Sequence, residues 1–179
     1  EVAALVTDFD LNQLGDGIDL VIKPPAEALE QMDDFVRNMH TSSGLLDELA
    51  AGLTMAEAEQ EVLAYVREWA PDAAKAPLGG NTVATDRGFL ARDMPELESH
   101  LHYRIIDVSS IKELAHRWFP RAYYNSPKKA GGHRALVDIR ESIAELRYYR
   151  EAVFVAPPGP DSEAAKEIAA RHEIGPEST

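Results

Sequence analysis

The chain has 179 residues, with 18 Lys and Arg against 31 Asp and Glu, and a formal net charge of −13. Length and a 45% hydrophobic content suit one globular domain with a real core, which excludes general disorder. No apolar run approaches the roughly 20 residues of a spanning helix, the first residues lack a signal-peptide pattern, and the absence of cysteine excludes disulfides, thiolate metal sites and cysteine nucleophiles. A cytoplasmic protein without a membrane partner is expected. A charge of −13 also argues against gripping long nucleic acid by neutralising many phosphates.

In chain order, Val2-Ala3-Ala4-Leu5-Val6 reads as a buried strand. Asp8 to Asn12 is turn-like, and Gly15-Asp16-Gly17 separates Leu11 to Leu14 from Ile18 to Ile22, which predicts a three-strand antiparallel meander. Pro24-Pro25 stops the last strand. Helices follow over Ala26 to Met32, Asp33 to Met39 and Gly44 to Ala51. Thr54-x-x-Glu57 is a capping box ahead of Val62, Tyr65, Val66 and Trp69, one apolar stripe that Pro71 ends. A short strand over Ala76 to Gly80 leaves through two glycines into Asn81. A helix from about Thr85 to Arg92, a turn at Met94-Pro95 and a strand over His102 to Val108 come next. Ser109 then caps a helix through Trp118 that Pro120 terminates, with both tryptophans, Trp69 and Trp118, expected in the core.

A loop over Tyr123 to Gly132 precedes a long helix from about His133 to Tyr149, whose apolar face is Leu136, Ile139, Ile143 and Leu146. Pro157-Pro158-Gly159-Pro160 breaks the domain, residues 1–156, from a charged tail, residues 157–179. Strands first, then helices alternating with short strands, predict an α/β sheet with helices packed on it.

Charge is uneven: net −12 over residues 1–75, +3 over 76–150 and −4 over 151–179. The middle stretch also holds four of the six histidines, His100, His102, His116 and His133. No Gly-x-Ser-x-Gly elbow or phosphate-binding glycine loop is present. Carboxylates and histidines near element ends remain: Asp86, His133 and Asp138. Asp138 sits on the flank of the apolar stripe, about 110° from its middle at 100° per residue, where it can reach a cleft edge and offer a hard oxygen to a divalent cation. Each also has an ordinary reading: Asp86 as a helix cap, His133 as a surface residue, Asp138 as a partner of Arg134 or Arg140.

Taken together, several ordered blocks resemble the oligoribonuclease family, 3′-to-5′ exoribonucleases of the DEDDh group. They are Gly80-Asn81-Thr82-Val83-Ala84-Thr85-Asp86-Arg87-Gly88-Phe89-Leu90, Met94-Pro95-Glu96-Leu97-Glu98, His102 to Leu114, and His133-Arg134-Ala135-Leu136-Val137-Asp138-Ile139-Arg140-Glu141-Ser142. Met32-Asp33-Asp34 and His40-Thr41-Ser42-Ser43-Gly44-Leu45 extend the match to about residues 1–152.

The resemblance implies an α/β fold with an RNase H-like mixed sheet flanked by helices, a homodimer, and two divalent cations, Mg²⁺ or Mn²⁺. By family motif, Asp86 and Asp138 are metal ligands and His133 the general base. Phe35 stands where the family usually has tryptophan, as a base-stacking wedge; its ordinary reading is a core Phe. His40, Asn81 and Thr82 would line the nucleotide pocket, and Ser109 and Lys112 would meet the terminal 5′-phosphate. His102, Tyr103 and Arg104 would come from the partner subunit, though Tyr103 and Arg104 also read as an ordinary strand-end pair. The family's Asp-x-Glu strand has no counterpart here, so it is expected upstream, and the chain as written is expected to bind metal poorly.

The implied substrates are very short oligoribonucleotides, especially diribonucleotides, cut to 5′-mononucleotides. Two alternatives stand beside this: a related exonuclease acting on longer single-stranded RNA or DNA, and a non-catalytic nucleotide-binding relative.

Overall fold

In the computed structural model, which describes residues 1–128 and 134–174, the chain opens on an antiparallel hairpin of β1 (Val2–Thr7) and β2 (Gln13–Leu20). Two strands form here instead of the expected three, because the chain reverses at Asp8 to Asn12. The Asp8 carboxylate accepts from the backbone N–H groups of Asp10 and Asn12 at 2.9 and 2.8 Å, which closes that turn locally. Gly15 and Gly17 instead form a bulge inside β2, at φ +68° and +85°, and the pairing shifts between Ala4 and Val6. At that break in the ladder the Tyr65 hydroxyl accepts from Val6 N–H at 3.2 Å and donates to the Leu14 carbonyl at 3.1 Å. A Cβ on Gly15 would stand 2.7 Å from the Trp69 indole, so the glycine lets that ring lie on β2. Trp69 remains 38% exposed there rather than entering the core.

Three short helices follow: α1 (Ala26–Glu30), α2 (Asp34–Ser42) and α3 (Leu45–Glu48), the last running into a 3-10 turn at Leu49–Ala51. Asp33 caps α2 by accepting from Val36 N–H. The predicted capping box forms, Thr54 and Glu57 bonding reciprocally, and starts α4 (Met55–Trp69). Ala58, Val62, Leu63 and Val66 of α4 make the main core with Met94 and Leu97, and Val2, Ala4, Ile18 and Leu20 of the hairpin pack on it.

The second half begins with β3 (Pro77–Gly80), α5 (Val83–Asp93), α6 (Pro95–His100) and β4 (His102–Asp107). β3 and β4 pair in parallel, Gly80 opposite Asp107. The buried Glu59 of α4 accepts from the N–H groups of Glu96 and Leu97 at 2.7 and 3.2 Å, which caps α6 from across the core. Next come α7 (Val108–Trp118), α8 (Pro120–Tyr124), α9 (Ala135–Ala152) and α10 (Ser162–Ala170). Asp107, not Ser109, caps α7. Pro120 begins α8 as well as ending α7, since its fixed φ suits a first helical position. Trp118 is 65% exposed at the end of α7, against the core position expected for it.

Among the described residues, the strands form one antiparallel and one parallel pair flanked by helices, the α/β class with mixed strand direction. α9 packs on β1 and β2 as well as on α7 and β3. Its predicted stripe is therefore only half-buried, and the fully covered positions are Glu145 and Tyr149. None of the described helices is long and apolar enough to cross a membrane. No residue of α10 is buried.

Candidate active site

Because β3 and β4 are parallel and end together, the residues after each strand emerge at one edge. Asp107 joins them. Its Oδ1 accepts from Thr82 N–H and Ser109 N–H, both at 3.0 Å, and its Oδ2 accepts from the Ser110 hydroxyl at 2.9 Å. Thr82 sits at φ +54°, a conformation uncommon outside glycine and held here by that bond.

A side-chain network continues from this edge. Asn81 Nδ2 donates to Ser142 Oγ at 2.9 Å and to Glu145 Oε2 at 3.1 Å. Ser109 Oγ donates to Asn81 Oδ1 at 3.2 Å and lies 3.0 Å from Thr82 Oγ1. Lys112 Nζ pairs with Glu145 Oε1 at 3.0 Å. That contact holds the Lys112 ammonium above the usual lysine range, with burial opposing it. The structure thus brings Asn81, Thr82, Ser109 and Lys112 into one cluster.

Asp86 and Asp138 border it. Asp86 lies in the first turn of α5, one turn after Thr82, and Asp138 in the first turn of α9, where its carbonyl accepts from Ser142 Oγ at 2.9 Å. Both are reached by solvent. Neighbouring protein nevertheless desolvates the Asp86 carboxyl and pushes it above the ordinary Asp range, against a lowering by its own N–H. Asp86 is not the cap of α5, whose cap position is Thr82. Arg134 is engaged by Glu1 at 2.7 Å and Glu48 at 3.0 Å, and Asp138 makes no ion pair among the described residues. Neither carboxylate has the ordinary role open to it in the sequence. His133 lies outside the described residues.

The remaining expected site residues stand apart. Phe35 on α2 is 75% exposed, which rules out a core role. His40, near the end of α2, lines a cavity of about 210 Å³ with Glu1, Leu29, Met32, Leu45 and Leu49. Its buried Nδ1 has no hydrogen-bond partner among the described residues. His102 and Tyr103 stack at 4.5 Å and Arg104 lies 5.3 Å over the Tyr103 ring, all at the start of β4. His102 lies five positions of strand, about 16 Å, before Asp107 at the network end of β4, and Arg104 lies three positions before it. Arg87 of α5 holds this segment from behind, donating to the carbonyls of His102 and Tyr103 at 2.8 and 2.9 Å while pairing with Glu98.

Asp107, Ser142 and Glu145 carry structural weight at the site that the sequence reading missed. A signal existed for two of them: Asp138, Ser142 and Glu145 stand at i, i+4 and i+7, one face of α9.

The model of the RNase T exonuclease family matches residues 1–146. The oligoribonuclease of Streptomyces avermitilis is 72% identical over 172 residues, covering 96% of this chain and 86% of its own. The oligoribonuclease of Streptomyces griseus is 72% identical over 171 residues, covering 96% and 85%. The oligoribonuclease of Cutibacterium acnes is 61% identical over 173 residues, covering 97% and 86%. Exonucleases of this family depend on divalent cations. Asp86 and Asp138 fit that need in kind, as solvent-reached hard oxygen donors. No group of three or more metal-binding side chains converges on them among the described residues. With most of the chain matched by the family model and by relatives of this identity, the chain belongs to the oligoribonuclease family of exonucleases.

Proposed function

We propose that the chain is a 3′-to-5′ exoribonuclease that hydrolyses very short oligoribonucleotides, diribonucleotides above all, to 5′-mononucleotides in the cytoplasm. The observation that carries this reading is the cluster of Asn81, Thr82, Ser109 and Lys112, with Asp86 one helical turn after Thr82 and Asp138 one helical turn before Ser142, the partner of Asn81. In it a cation and hydroxyl groups suited to a terminal phosphate stand beside carboxylates suited to divalent ions.

In this reading Asp86 and Asp138 are ligands of two divalent cations, Mg²⁺ or Mn²⁺. Such ions, when bound, polarise the phosphodiester and favour in-line displacement. His133 is the general base that removes the proton from the attacking water. Lys112 and Ser109 hold the 5′-phosphate, Asn81 and Thr82 line the nucleotide, Phe35 stacks on a base and His40 borders the pocket. A cluster that encloses the 5′-phosphate counts from the other end of the substrate, so it favours two residues over many. The separation of His102, Tyr103 and Arg104 from the network along β4 supports a homodimer in which each protomer lends this segment to its partner's site. Residues 1–156 are the exonuclease domain and 157–179 an appendage.

Replacing Asp138 by Ala tests the assignment: metal-dependent hydrolysis of a diribonucleotide is abolished while the melting temperature is kept, because an exposed carboxylate holds none of the core. Unchanged turnover with Mn²⁺ would refute it. Comparing wild-type turnover of a two-residue and a twenty-residue RNA tests the substrate class, and preference for the longer one overturns it.

A further inference from the structure

Glu145 is 3% exposed, the most covered acid among the described residues, and it joins Asn81 to Lys112 without a role in the reaction proposed above. A carboxylate in an ion pair can only accept hydrogen bonds. Facing Glu145, Asn81 must present its NH₂, so its carbonyl Oδ1 is turned to Ser109. Ser109 must then donate to that carbonyl, which leaves its oxygen to accept from Thr82. The Thr82 hydroxyl ends this chain at the solvent-facing side. Its hydrogen is the one an incoming phosphate oxygen can capture without turning the Asn81 amide. The second Glu145 oxygen, 3.0 Å from Lys112 Nζ, engages one donor of an ammonium that has three and stands 37% exposed.

We propose that Glu145 is a positioning residue for substrate phosphate: it orients the Asn81, Ser109 and Thr82 chain and holds the Lys112 ammonium where a 5′-phosphate docks. This rests on the reading of Lys112 as a 5′-phosphate ligand. Glu145 touches no reacting atom, so its contribution falls on binding and not on the chemical step. Buried between α7 and α9, it also gives the site a fixed charge partner that solvent does not replace.

Glu145→Gln keeps the shape and one acceptor but removes the charge. In the full chain with Mn²⁺, KM for a 5′-phosphorylated diribonucleotide rises about 10- to 100-fold, the range of one charge-assisted hydrogen bond, while kcat stays within about threefold. The same dinucleotide without its 5′-phosphate shows little change. Lys112→Met raises KM similarly, and the double variant loses no more than Lys112→Met alone. Equal losses on both dinucleotides, or a fall in kcat with KM constant, mark Glu145 as merely structural and overturn the proposal. An unchanged KM in Glu145→Gln beside a raised KM in Lys112→Met overturns this proposal alone. An unchanged KM in Lys112→Met overturns the phosphate reading and this proposal with it. Should the Gln variant fail to fold, Glu145→Asp retains the charge but is one methylene too short to reach both partners, and the same KM rise is expected; an unchanged KM overturns the proposal.

Discussion

Around α4, Tyr65 and Glu59 use their polar atoms to close the fold, one bridging a break in the hairpin ladder and the other capping α6. At the ends of β3 and β4, Asn81, Ser109, Glu145 and Lys112 use theirs on one another, at an edge that solvent reaches. In the first region a polar group is answered by backbone, and the surroundings are apolar. In the second it is answered by side chains that can exchange one partner for a ligand. Burying a polar group against backbone builds structure, whereas a side-chain network with an open end builds a binding surface.

The sharpest way to break this comparison is in the first region. Leu63 is 1% exposed in the core, and Leu63→Ala costs about 2–5 kcal/mol of stability in denaturant unfolding. The part that stays folded retains its KM for a diribonucleotide; a raised KM would mean that the core and the network are not separable. Tyr65→Phe is a finer cut. It removes the bridge between Val6 and Leu14 with little change in volume and costs about 1–2 kcal/mol, again without change in KM. A cost near zero would show that the hairpin bulge is held by Gly15 and Gly17 alone.

The smallest effect concerns pH in the second region. Desolvation raises the Asp86 carboxyl, so protons compete with cations there from a higher pH than at an ordinary Asp, near 3.9. Mn²⁺ affinity measured by calorimetry therefore begins to fall above that value as pH is lowered, and Asp86→Asn removes the pH-dependent part. Without cation the sign on stability is opposite. A carboxyl whose folded pKa is raised binds more protons in the folded than in the unfolded state, so stability declines as pH rises through that window. At neutral pH Asp86→Asn is then slightly stabilising, by under about 1 kcal/mol given its solvent exposure. A destabilised variant would show that Asp86 serves the fold.

Local chemistry was legible where it is self-contained. The capping box at Thr54 and Glu57, the burial of Val62 and Val66 on α4 and the start of β4 at His102 follow from spacing and capping alone, whereas Trp69 at the end of the same stripe stays exposed. The hairpin misled because two turn signals compete: Gly15-Asp16-Gly17 looks stronger, but the Asp8 carboxylate makes its own hydrogen bonds to the turn and takes precedence. On α9 a single apolar stripe was visible, yet the helix packs on two sides, so Glu145 and Tyr149 became the covered positions.

The sequence by itself determined the class of fold, most helices and the family, because these depend on patterns within short stretches, and through the family resemblance it singled out Asn81, Thr82, Ser109 and Lys112 as candidates. Only the tertiary structure decided that those four share one network, that Glu145 and Asp107 hold it, and that His102, Tyr103 and Arg104 stand at the other end of the same strand. The physical reason is range. Capping and periodicity act over one or two turns of chain, while a hydrogen bond between residues 64 positions apart, as from Asn81 to Glu145, exists only once packing has brought their elements together.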